Sequence, residues 1–164
     1  MKSIVIYYSY SGNTKKAADV LTEYIRQEAE TEVVELKVLD ESDKFLSQAA
    51  RAFRRKRGEI EPVNFDLGAY GLICLGTPVW AFGPAPAMNT YLDKCFGLKG
   101  KTIILFATYG SGAGKGRCLN YMQEILTKKG ASQFKRLFIQ QFRVSEKDYV
   151  LTQIKKILPL LSNG

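Results

Sequence analysis

SIVIYYSYSGNT, Ser3 to Thr14, is the stretch on which the fold reading turns. Ser3 to Tyr8 is short, β-branched and aromatic, with no polar alternation, which is how a strand buried on both faces reads. It runs straight into Ser9, Tyr10, Ser11, Gly12, Asn13 and Thr14. Beyond that loop Ala18, Leu21 and Ile25 fall on one helical stripe with Val20 and Tyr24 beside it. Lys15, Lys16, Asp19, Glu23 and Arg26 take much of the remaining face. A buried strand, a hydroxyl- and amide-rich loop and a helix start therefore follow one another. Unpaired N–H groups at a helix N-terminus favour an anion, and Gly12 lets the backbone turn closely around one. The alternative at this point is that Ser and Asn merely cap the helix.

The same alternation continues outward. Glu32 to Leu39 alternates as a strand near a sheet edge does, and Gly71 to Gly76, Lys101 to Ala107 and Phe134 to Phe142 read as further strands. Helical spacing is expected over residues 44–57, Met88 to Phe96, Leu119 to Lys128 and Asp148 to Leu161. Strands apolar on both faces need helices on both sides of a mainly parallel sheet. The expectation is a doubly wound α/β fold, five parallel strands in the order 2-1-3-4-5, as one domain over residues 1–164. Ligands in such folds sit beyond the C-terminal strand ends, where the strand order reverses.

Two more loops open at that edge. Thr77, Pro78, Val79, Trp80, Ala81, Phe82 and Gly83 follow the third strand and include the chain's one Trp. Aromatics there either cover the core edge or stack on a flat ligand. Thr108, Tyr109, Gly110, Ser111, Gly112, Ala113 and Gly114 follow the fourth strand. This Gly-rich loop is no triphosphate loop, because Gly114-Lys115 precedes Gly116 rather than Ser or Thr, and it also misses the dinucleotide spacing.

Composition narrows the chemistry. The chain of 164 residues has no His, which removes Ser-His-Asp triads, Cys-His pairs and His-ligated metals. No metal site and no catalytic residue is expected. Cys74, Cys95 and Cys118 form no CxxC pair, and Cys74 lies in an apolar run as a small core residue would. Cysteine usage suits a reducing, cytoplasmic compartment. The N-terminal apolar run is too short for a secretory leader, and no stretch is long enough to span a membrane.

The three loops together resemble the flavodoxin family. Ser9, Ser11, Gly12 and Thr14 match every fixed position of the family's first-loop fingerprint, Thr/Ser-x-Thr/Ser-Gly-x-Thr, and GTPVWAFGPAPAM is similar to the family loop that carries an aromatic against the flavin. The length is that of short-chain members. The resemblance implies FMN as cofactor. Its phosphate would lie on Ser9, Ser11, Gly12, Asn13 and Thr14 with Tyr10 alongside, and its ring between the second and third loops. Electron transfer between redox partners is the implied function. An NAD(P)H-dependent FMN-containing quinone or flavin reductase, and an adaptor without FMN, are the alternatives on the same fold.

Charge is where the chain departs from the acidic pattern of flavodoxins. The net formal charge is +8, with six basic and no acidic residues in 44–57, and thirteen basic against three acidic in 94–164; residues 58–93 carry no cation. An acidic redox protein such as a ferredoxin-like carrier is the expected partner, with Arg51, Arg54, Arg55, Lys56 and Arg57 as a candidate docking cluster. The bland reading of that cluster is a solvated helix end, and Arg chemistry also suits the 2′-phosphate of NADPH. No nucleic-acid motif accompanies it.

Overall fold

The computed structural model describes residues 1–39 and 58–159; the helix expected over 44–57 and the cluster from Arg51 to Arg57 lie outside the described residues. Five strands run parallel: β1 (Lys2–Tyr7), β2 (Glu30–Glu35), β3 (Leu72–Trp80), β5 (Thr102–Tyr109) and β6 (Gln133–Gln140). A two-residue β4 (Gly83–Pro84) folds back antiparallel on the end of β3. The sheet order is β2-β1-β3-β5-β6, which for the five parallel strands is the expected 2-1-3-4-5. Helices α1 (Asn13–Ile25), α2 (Pro86–Lys94), α3 (Lys115–Lys128) and α4 (Lys147–Ile157) connect and close it.

Alternation along β1 divides the core. Ile4, Ile6 and Tyr8 point to one face, where they meet Met88, Tyr91 and Leu92 of α2 and Leu119 and Met122 of α3. Val5 and Tyr7 point to the other, against Ala17, Ala18 and Leu21 of α1 and Val150 and Ile154 of α4. β3 and β5 are likewise buried on both faces, whereas β2 and β6 are partly exposed, as edges are.

Several boundaries differ from the sequence expectation. β3 does not give way to a loop at Thr77: it keeps pairing with β5 as far as Pro78↔Thr108. Pro is tolerated there because β1 has already ended, at Tyr7↔Gly76, so one side of the strand needs no donor. The expected loop is thus a hairpin, Val79↔Pro84 and Trp80↔Gly83, with Ala81 and Phe82 at its tip. α2 begins at Pro86, which suits the first helical turn because its missing N–H has no partner there anyway. β6 stops at Gln140, and Gln141–Arg143 form a 3₁₀ turn that leaves Phe142 exposed. β2 starts and stops earlier than expected, and Val38 only bridges to Ile60.

Cys74, Cys95 and Cys118 are buried and none of them is in a disulfide. Burial raises the Cys74 thiol far above its ordinary range and pushes Cys95 up to about 11, so both stay protonated at neutral pH. Among the described residues no helix is long and apolar enough to cross a membrane, and no group of three or more Cys, Asp or Glu could hold a metal.

Gly76 sits at the centre of the sheet, and a Cβ there would lie 2.0 Å from the ring of Phe106, which is wholly buried. Gly76→Ala is expected to lower stability by about 1–3 kcal/mol through overpacking. Urea unfolding measures it, and Phe106→Leu in the same chain should recover part of the loss.

Candidate functional site

At the C-terminal edge of the sheet a cleft of about 630 Å³ opens between the loops that follow β1, β3 and β5. From the first loop Tyr10, Ser11, Asn13 and Thr14 line it. The second contributes Pro78, Val79, Trp80, Ala81 and Phe82, and the third Thr108, Tyr109, Gly110, Ser111 and Ala113. The cleft lies beside the β1–β3 pair, where the strand order reverses.

The first wall is a helix terminus. Gly12, at φ 93°, is the N-cap of α1 and makes no side-chain cap hydrogen bond. The first N–H groups of a helix lack intrahelical partners, so donors of Asn13 and Thr14 are directed to the cleft end rather than into the helix. Ser9 takes one neighbouring donor itself, with its Oγ accepting from the Lys15 N–H at 3.1 Å. Thr14 is buried, and its hydroxyl meets that of Thr108 at 2.7 Å, which ties the first loop to the end of β5.

The second wall is aromatic. Trp80 is only 6% exposed, and its ring stands edge-on to Tyr8 and Tyr10, at 5.8 and 5.6 Å between centroids. It therefore does both things the sequence left open, closing the core edge and lining the cleft. Phe82 is different: it is 41% exposed and sits on the rim. Ala81 and Phe82 have φ of 45° and 65°, a left-handed conformation that costs non-glycine residues on the order of 1–2 kcal/mol each. Two-residue hairpins of the type I′ kind need positive φ at both tip positions, as here, and usually place Asn-Gly there. The Thr77 hydroxyl fixes the hairpin's base by accepting from the Ala85 N–H at 2.9 Å.

The third wall locks onto the second. A Cβ on Gly114, the N-cap of α3 at φ 78°, would fall 1.9 Å from the ring of Phe82. The Gln140 side chain donates to the Gly110 carbonyl at 3.3 Å, and Gln141 comes to line the cleft from the end of β6. Ser9, Gly12, Thr77, Gly83, Gly112 and Gly114 are not among the lining residues; they shape the loops that are. Ala113 and Gln141 line the cleft without having been expected to. Among the described residues, none that lines the cleft is charged.

Gly114→Ala is expected to expel the Phe82 ring and force a left-handed Ala, lowering stability by about 1–2 kcal/mol or more. Thermal unfolding checks this. In a Phe82→Ala background the same change should cost less, because only the backbone strain remains.

The Flavodoxin family model matches residues 2–137. Comparison with curated proteins gives no match. Among solved structures, one from Bacteroides uniformis described as a flavoprotein is 22% identical with a TM-score of 0.68, over 92% of this chain and 97% of that one. A flavoprotein from Lactobacillus acidophilus, solved in complex with FMN, is 24% identical with a TM-score of 0.65, over 90% and 98%. The apo form of an NADH:FMN oxidoreductase is 17% identical with a TM-score of 0.60, over 99% and 93%. At these identities the structures speak for the fold alone, and the family rests on the sequence model, whose match runs from β1 into β6. The chain belongs to the flavodoxin family.

Proposed function

We propose that the protein binds FMN in the cleft and carries electrons between redox partners. The observation that supports this best is the pairing of walls within one cleft. A helix start whose N-cap Gly12 offers no side-chain acceptor, with hydroxyls and an amide around it, stands at one side, and an apolar, aromatic hairpin at the other. The first suits a phosphate dianion held by N–H and O–H donors, the second a flat apolar ring. FMN has both parts, and when bound it accepts and releases electrons one or two at a time.

The chain's own residues then bind and orient. Ser11, Asn13 and Thr14 hold the phosphate, with Ser9 and Gly12 setting the loop's shape. The backbone of Pro78 to Phe82 and of Thr108 to Ser111 holds the ring, and Phe82 and Tyr109 exclude water from it. The described lining residues include no charged side chain, so none of them supplies a proton and solvent does. Three buried cysteines outside any disulfide fit a reducing compartment such as the cytoplasm. An acidic carrier, ferredoxin-like in its chemistry, suits the basic charge of residues 44–57 as partner.

Purified protein should be yellow or take up added FMN, and riboflavin, which lacks the phosphate, should bind about 100-fold more weakly. Fluorescence quenching of each flavin gives both constants. A colourless protein that ignores FMN would remove this reading, and equal affinity for riboflavin would remove the phosphate site. A redox titration should then resolve two one-electron midpoints.

A second reading, an NAD(P)H-dependent FMN reductase, is favoured by Lys115 and Arg117 at the start of α3. Neither is in ion-pair contact with a carboxylate among the described residues. Mixing the FMN-loaded protein with NADPH under anaerobic conditions separates the two. The carrier is expected to keep its flavin absorbance until a separate reductase is added, and prompt bleaching by NADPH alone would favour the enzyme.

A further inference from the structure

The cations of α1, of the turn after β6 and of the first turns of α3 and α4 differ in how they are satisfied. Lys15 pairs with Asp19 at 3.0 Å, Arg143 with Glu146 at 2.9 Å and Lys147 with Glu23 at 2.8 Å. Lys16 donates to the Ser145 hydroxyl at 3.1 Å. Among the described residues Lys115 has neither a carboxylate nor a hydroxyl partner; Arg117, also without an ion pair there, is exposed. The Lys115 Nζ lies 4.3 Å from the ring centroid of Tyr109 and 5.2 Å from that of Phe138, and the residue is half-buried.

Two ring faces fix the position of an ammonium through their quadrupoles without neutralising its charge. Tyr109 is also a wall of the cleft, so the amine is held within one aromatic ring's reach of the ligand space. None of the described lining residues is charged, so none of them masks the ammonium, and a Coulomb field passing through protein is weakened far less than one passing through water. A fixed positive charge favours whichever ligand state is more negative.

We propose that Lys115 sets the reduction potential of the bound cofactor by stabilising its reduced form over its oxidised form. This rests on the FMN reading above. Lys115 exchanges neither electron nor proton: electrons enter FMN from a donor protein and leave to an acceptor, while the ammonium acts through its field. Tyr109 and Phe138 are positioning residues for the amine. Residues 58–93, which include the second loop, carry no cation. The charge arrives instead from the helix after the third loop.

The test uses the full chain loaded with FMN, as wild type, Lys115→Met and Lys115→Arg. Midpoint potentials come from redox titration and the dissociation constant of oxidised FMN from fluorescence quenching; together they give the affinity for reduced FMN through the thermodynamic cycle. Lys115→Met is expected to lower the ratio of reduced to oxidised affinity by about tenfold, mostly through the reduced form, with Lys115→Arg close to wild type. Far-UV circular dichroism and thermal unfolding establish that each variant is folded, and a purely packing role for Lys115 would change those without moving the potentials. Unchanged midpoints in Lys115→Met would overturn the proposal, as would an Arg variant that shifts as far as Met. If the wild-type chain itself takes up no FMN, the flavin reading fails first and this proposal falls with it, a result distinct from FMN bound at an unaltered potential.

Discussion

The parallel pairing of β1 with β3, from Ser3↔Leu72 to Tyr7↔Gly76, is the contact at which the strand order turns back on itself. Both strands are buried on both faces, so helices must cover the sheet from two sides. The chain leaves β1 for α1 on one face and β3 for α2 on the other. The two connections consequently diverge, and a crevice is left between them at the C-terminal edge. The close packing of the sheet centre sharpens this constraint, because β3 carries a glycine where the Phe106 ring of β5 needs the room. A recognition site at this edge is thus a consequence of wrapping a parallel sheet, before any particular loop residue is considered.

What makes the crevice a shaped site is that its loops hold one another. Thr14 and Thr108 join the first loop to β5, Phe82 sits over Gly114 to join the second to the third, and Gln140 joins the third to the end of β6. Each contact is between residues far apart in sequence, so none of the loops has its geometry alone. This accounts for the persistence of two left-handed, non-glycine residues at the hairpin tip. The ladder pairs below them and the ring contact beside them over-determine a backbone that Ala81 and Phe82 would not adopt in isolation.

Much of this was legible in the chain because the same residues carry local and global information. A both-face-apolar strand followed by Ser9 to Thr14 gave the sheet, the helix start and the first wall together, and Gly12 stands where a left-handed residue is needed. The hairpin was not legible, since Ala-Phe carries none of the Asn-Gly signal that marks such a turn. The start of α3 was placed late because Lys115, Gly116 and Arg117 show no apolar period. Gln141 was missed for a related reason. Reading β6 through Phe142 hid the point at which the strand ends, and in a parallel sheet it is the end that faces the crevice. The two roles of Trp80 could not be separated in sequence, since a ring that seals a core edge and a ring that lines a cleft have the same composition and flanks.

The charge of the chain shows most clearly how folding redistributes what composition reports. Of the cations in the basic C-terminal part, Lys101 donates to the Gly68 carbonyl, Lys129 to those of Asp93 and Cys95, and Lys135 to that of Ile157. Lys101 and Lys135 lie near the strand starts and Lys129 at the end of α3, which places all three away from the cleft. Helix ends and loops leave carbonyls unsatisfied, and long lysine side chains supply donors to them. A net charge of +8 therefore coexists with a cleft whose described lining residues carry no charge. The two act over different distances. The summed field of the surface acts on an approaching anionic protein over a Debye length or so, and salt screens it. The Lys115 ammonium, held over the Tyr109 and Phe138 rings, lies outside the cleft lining but one ring away from it, so the field proposed above reaches the cleft with less screening than that of distant surface lysines.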